Sequence, residues 1–162
     1  MEQIKQNNIS IAVESSLFVP SSYLEMVIPF VDYFYVDLKV MGKERCSFLL
    51  KENLDLFKSN LAILAKSKKF NVRIPVICGY NDDEDNVRCI IDVIREYCSS
   101  IEKVELIKGQ NLVDNKYISL GKEALQKAEV SDLFLEEYRK KIMNEVENIG
   151  CEVCKIYNLL FS

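Results

Sequence analysis

Asp37 and Lys39 close the segment Tyr33-Phe34-Tyr35-Val36-Asp37-Leu38-Lys39, two residues apart in a stretch that otherwise reads as a buried strand. Alternation puts Phe34, Val36 and Leu38 on one face and Tyr35, Asp37 and Lys39 on the other, so an acid and a base share a face. A charge buried alone is too costly to keep. The pair therefore either joins an ion-pair network in a polar cavity or binds a ligand. For the second role the chemistry is available: a carboxylate accepts from hydroxyl and ammonium groups, and a lysine donates to oxygens. The arrangement recurs along the chain. Glu14 lies on the parity opposite Ile9, Ile11 and Val13, Arg73 opposite Val72, Ile74 and Val76, and Glu105 opposite Val104 and Leu106.

Composition removes much other chemistry. The 162 residues include no histidine, so the Ser-His and Cys-His nucleophile arrangements and the common zinc ligand sets are unavailable. Of the six cysteines (Cys46, Cys78, Cys89, Cys98, Cys151, Cys154), only Cys151 and Cys154 form a Cys-x-x-Cys pair. They have no second pair to complete a metal knuckle and fall on opposite parities of an expected terminal strand, so no metal site is expected. The acidic run at 82–85 lacks the glycine turn and closing glutamate of a calcium loop. Acidic residues slightly outnumber basic ones, 25 against 21, and are mixed with them, which gives no electrostatic footprint for nucleic acid or an anionic membrane. Lys66-Ser67-Lys68-Lys69 reads as a solvated turn. The first residues have no apolar h-region, and no apolar run approaches membrane-spanning length. The expectation is a cytoplasmic protein with reduced cysteines.

The elements that must position these groups follow from periodicity. Strands are expected at 9–14, 33–39, 70–77, 103–107 and 152–157. Helices are expected from a Ser22/Glu25 capping box through Ile28, at 51–66 (Leu54, Phe57, Leu61, Leu64), after the turn at 78–84 (Val87, Ile90, Ile91, Ile94), at 122–128 and at 132–148, with Gly150 as the last cap. Loops are expected around 41–43 and at 108–120. Asn81 and Asp82 read as capping residues, and Pro75 should end or bend its strand. At 49% apolar, the chain supports a single domain over 1–162. Strands alternating with amphipathic helices predict an α/β fold with a parallel sheet. If the aliphatic parity faces the helices, the charged parity lines a shared interior, as in a partial, half TIM-like barrel. A closed barrel takes about 250 residues, so only about half is present and strand edges should be left open.

The ordered segments Ala12-Val13-Glu14-Ser15-Ser16, Val31 through Lys39, Arg73-Ile74-Pro75-Val76-Ile77-Cys78-Gly79-Tyr80-Asn81-Asp82, Val104-Glu105-Leu106-Ile107 and Asn115-Lys116-Tyr117 with Leu120-Gly121 resemble the C-terminal part of the radical S-adenosylmethionine activating enzymes of glycyl-radical enzymes, of the pyruvate formate-lyase activating type. The resemblance implies a partial barrel and S-adenosylmethionine as cofactor. It also implies a [4Fe-4S] cluster held by an N-terminal Cys-x-x-x-Cys-x-x-Cys that this sequence lacks. The implied reaction is reductive cleavage to a 5′-deoxyadenosyl radical, which takes hydrogen from a glycine of a partner glycyl-radical enzyme. The implied cofactor-binding set is Glu14, Asp37, Lys39, Arg73, Cys78, Gly79 and Gln110, with Arg73 also readable as a strut inside the barrel. Where this sequence has Leu17 and Gln110, the family often has glycine and histidine. Without the cluster motif the chain by itself should be inactive. The alternative is a cluster-less remnant serving as a non-catalytic interaction module, its open edge pairing with a second copy or another chain.

Overall fold

A computed structural model describes residues 1–108, 118–121, 130–147 and 156–159. The described strands are β1 (Ala12–Ser15), β2 (Tyr33–Asp37), β3 (Phe70–Val76), β4 (Ile101–Lys108) and β5 (Ile156–Leu159), all parallel and ordered β1-β2-β3-β4-β5. Six α-helices are described: α1 (Glu2–Gln6), α2 (Ser21–Val27), α3 (Lys43–Leu50), α4 (Leu54–Ser67), α5 (Glu84–Glu96) and α6 (Asp132–Glu147). Each strand lies beside the next in sequence, as in a partial TIM-like barrel of βα units. The expected elements at 108–120 and 122–128, the cap at Gly150 and the pair Cys151/Cys154 lie wholly or largely outside the described residues. No helix among the described residues is long and apolar enough to cross a membrane.

The predicted parity holds from β2 to β4. Phe34, Val36, Leu38, Val72, Ile74, Val76, Val104 and Leu106 form one buried cluster with Phe57, Leu61, Leu64, Ile90 and Ile94 of the helices. Register puts Asp37 beside Arg73 and Arg73 beside Glu105 on the other face. β1 departs from the pattern: Ile9 is exposed, Ile11 and Val13 are only partly buried, and the strand begins at Ala12. As the outer strand of the sheet, β1 has fewer neighbours to bury its aliphatic residues.

Pro75 does not end β3. Pairing with β4 continues to Val76 beside Lys108, whereas pairing with β2 stops at Asp37 beside Arg73. Alternation explains the difference. The Arg73 carbonyl accepts from Leu38 N (2.8 Å), so residue 73 points its backbone groups toward β2, and so does residue 75, where proline has no N–H to give.

Residues around 43–50, expected as loop, form α3. Only Cys46 is buried in it while Phe48 is exposed, so it carries no apolar stripe to betray it. α2 starts at Ser21 with Pro20 at the cap and no side-chain capping bond, so the expected Ser22/Glu25 box does not form. The expectation of six reduced thiols is also corrected. Cys46, Cys78 and Cys89 are free, but Cys98 is disulfide-bonded.

Candidate functional site

Four of the expected site residues meet on the face of β1, β2 and β3 opposite the helix-packed core. Arg73 is the hub. Its Nε and Nη2 donate to Asp37 Oδ1 (2.9 and 2.8 Å), and its Nη1 meets Glu14 Oε1 at 2.5 Å. Lys39 Nζ lies 3.6 Å from Asp37 Oδ2. The guanidinium carbon also stands 5.7 Å from the Tyr35 ring centroid, within cation–π range. Burial works against the Arg73 charge, but its hydrogen bonds to Glu14 and Asp37 and their negative charges outweigh this and hold it more firmly protonated than usual.

Exposure separates the roles within this network. The Arg73 and Asp37 side chains are only 13% and 16% exposed, whereas Glu14 is 65% and Lys39 40% exposed. Arg73 and Asp37 thus satisfy one another, a strut between β2 and β3. The groups left facing outward are a carboxylate at Glu14 and an ammonium at Lys39, which suit hydroxyl or ammonium donors and carboxylate oxygens respectively. On this donor set the residues present fit S-adenosylmethionine, which carries all three group types. They do not fit an iron–sulfur cluster. The sequence has no Cys-x-x-x-Cys-x-x-Cys, and no group of three His, Cys, Asp or Glu side chains among the described residues is arranged to hold a metal.

Cys78 and Gly79 stand apart from the ion-pair network, on the turn that follows β3. Gly79 has φ +79, a left-handed conformation that glycine takes without strain, and its N–H donates to Asp82 Oδ1 (2.8 Å). Burial and then the Asp82 carboxylate push the Cys78 thiol up, away from an activated thiolate. Gln110 lies outside the described residues.

Glu105, buried at 4% exposure, continues the polar row beyond Arg73 and pairs with Lys103. The structure also contains functional groups that sequence reasoning passed over. Asn81 and Asn86, read as part of a helix start or not at all, are each 2% exposed and bind backbone groups on the far side of the site. The cap of α5 is instead Asp83, which accepts from Asn86 N (3.0 Å). Arg45, from the unexpected α3, meets Asp83 at 2.5 Å and donates to the Tyr80 carbonyl at 2.7 Å.

The loop after β1 holds Leu17 at φ +55, a region that favours glycine, with its side chain buried. Ser15 Oγ accepts from Leu17 N (2.9 Å), and Asn60 Nδ2 donates to the carbonyls of Leu17 (2.8 Å) and Val19 (2.7 Å), which fixes the strained turn in place.

No protein-family model matches the chain. Among curated proteins it is 28% identical over 151 residues to the 4-hydroxyphenylacetate decarboxylase activating enzyme of Clostridioides difficile (strain CD196), covering 90% of this chain and 46% of that one. It is 30% identical over 119 residues to the (2S)-3-sulfopropanediol dehydratase activating enzyme of Klebsiella oxytoca, covering 72% and 38%. It is 28% identical over 120 residues to the choline trimethylamine-lyase activating enzyme of Oleidesulfovibrio alaskensis, covering 72% and 39%. Among solved structures, a domain of the pyruvate-formate lyase-activating enzyme from Bacteroides vulgatus superimposes with a TM-score of 0.67 at 19% identity, over 95% of this chain and 84% of that one. That likeness establishes the fold. The chain spans less than half the length of the curated relatives it matches. Its homologues are the activating enzymes of glycyl-radical enzymes, and the chain corresponds to a part of them.

Proposed function

We propose that this chain forms one wall of the S-adenosylmethionine pocket of a glycyl-radical enzyme activating enzyme, as a single partial-barrel domain acting in the cytoplasm. One observation carries the reading. Adjacent parallel strands deliver Glu14, Asp37 and Arg73, and the segment leaving β2 brings Lys39 to the same network, two of the four braced against each other and two exposed. In parallel α/β folds, groups near the C-terminal strand ends are where ligands bind.

In the whole enzyme S-adenosylmethionine supplies the hydrogen-abstracting group that converts a glycine of the partner enzyme to its radical. The residues of this chain bind and orient. Glu14 accepts from the amino or hydroxyl groups of the cofactor, and Lys39 donates to its oxygens. Arg73 holds Glu14 and Asp37 at fixed separation, and Asp37 steadies Lys39. The turn bearing Cys78 and Gly79 borders the adenine side, and Gln110 is the hydrogen-bonding counterpart of a titrating histidine. Because the sequence has no Cys-x-x-x-Cys-x-x-Cys, its own contribution in this reading is positioning, and the electron donor is supplied from outside these residues.

The test is calorimetry with S-adenosylmethionine on this chain joined to the cluster-bearing half of a relative, with and without Lys39→Ala. Weakening by about tenfold or more on losing Lys39 supports the reading, the scale expected for a charge-assisted hydrogen bond. Equal affinity with and without Lys39 overturns it.

A further inference from the structure

We infer that Asn81 and Asn86 are positioning residues that lock the end of β2, including Lys39, to the turn after β3, so that the two sides of the site move as one body. The inference rests on the proposed function only for what Lys39 would meet; the lock itself stands on geometry.

The Lys39 carbonyl accepts from two side-chain amides, Asn81 Nδ2 (3.1 Å) and Asn86 Nδ2 (3.2 Å), which lie 42 and 47 residues further along the chain. Asn81 Nδ2 also donates to the Pro75 carbonyl (2.5 Å), and Asn81 Oδ1 accepts from Ile77 N (2.8 Å). Asn86 Nδ2 also donates to the Asn81 carbonyl (2.9 Å), and Asn86 Oδ1 accepts from Met41 N (2.7 Å). Both N–H groups and the oxygen of each buried amide are therefore used, and every partner is backbone on one of the two segments.

These bonds lie just past the last β2–β3 register pair, Asp37 beside Arg73, where proline leaves residue 75 without a donor toward β2. The Asn81 NH2 bridges the carbonyls of Lys39 and Pro75 there. Both amides spend their hydrogen bonds on backbone groups, so their effect on the site runs through the backbone of Lys39 and of residues 77–81.

Amide hydrogen exchange and the Cε resonances of Lys39, measured by NMR on the full chain, test the lock. Asn53→Ala serves as the matched comparison, because it removes an N-cap contact of α4 (to Asp55 N, 2.9 Å) that takes no part in the network. Asn81 does not touch the Met41 amide. If the segments are one body, Asn81→Ala speeds exchange at Met41 about tenfold beyond the effect of Asn53→Ala and moves the Lys39 Cε signals toward unstructured values. Asn86→Ala reads the same coupling in reverse, through the Ile77 amide, and serves if the first variant does not fold. Exchange at Met41 and Ile77 equal to that in Asn53→Ala overturns the inference. Calorimetry on the same variants, each joined to the cluster-bearing half of a relative, separates the two readings. Coupled exchange without any binding of S-adenosylmethionine leaves the lock standing and removes the pocket.

Discussion

The two faces of the same sheet are built on opposite terms. On the helix side, Val36, Val72, Ile74, Val104 and Leu106 are fully buried, and packing alone orders them. On the other side, Asp37, Arg73 and Glu14 sit one to two residues away along the same strands, held by directed charge-assisted hydrogen bonds. Packing is tolerant in direction and costly to vacate, whereas an ion-pair network is exacting in direction and worth little where water reaches it. The chain thus keeps its stability on one face and carries on the other an ion-pair network with two groups, Glu14 and Lys39, open to solvent.

Ile74→Ala attacks the packed face and should give the largest loss, about 2–5 kcal/mol by urea denaturation, because a cavity opens among fully buried neighbours. Removing Arg73 as methionine should cost less, about 1–3 kcal/mol, since Asp37 is left mostly buried with its main partner gone. Double-mutant cycles sharpen the contrast within the network. Arg73 with Asp37→Asn should show coupling of about 1–2 kcal/mol, and Arg73 with the exposed Glu14→Gln less than about 0.5 kcal/mol. Equal couplings would mean that exposure does not divide the buried strut from the solvent-facing group.

Tyr138 tests the packed side from its weak point. Among the described residues its hydroxyl is buried without a hydrogen-bond partner. Burial, with the charges of Asp82 and Asp83, raises its pKa well above the usual phenol value. A group whose folded pKa is raised contributes stability fully below its unfolded pKa of about 10 and loses it as pH climbs toward the folded value. Tyr138→Phe should therefore gain about 1 kcal/mol at neutral pH and lose less than the parent above about pH 10, read from denaturation midpoints across pH. Smallest of all in stability should be Lys39→Ala, under about 0.5 kcal/mol, because its contact with Asp37 is long and open to solvent. A large stability loss there would place Lys39 among the struts.

The sheet faces were legible because period-two alternation needs only neighbouring residues, and from β2 to β4 both its aliphatic and its charged members landed as written. The strands that carry Glu14, Asp37 and Arg73 could therefore be identified, and with them the convergence of those side chains. The first strand was less legible: Ile9 and Ile11 carry the pattern of a buried strand, but whether a parity is buried depends on neighbours on both sides. α3 was hidden because Lys43–Leu50 has no stripe, and its Arg45 was hidden with it. Asn81 was read as a cap, and Asn86 not at all, for a different reason. An asparagine just before or inside a first helical turn has a local use as a cap, and nothing in the local sequence signals partners more than 40 residues away.

Pro75 sets a ladder bond and a side-chain bridge against each other at one position. A residue with an N–H there would offer β2 one more ladder bond. The same position is where the Asn81 amide takes the Pro75 and Lys39 carbonyls, so a longer ladder and the asparagine bridge compete for one piece of backbone. A substitution at Pro75 therefore trades one way of joining the strand ends for another.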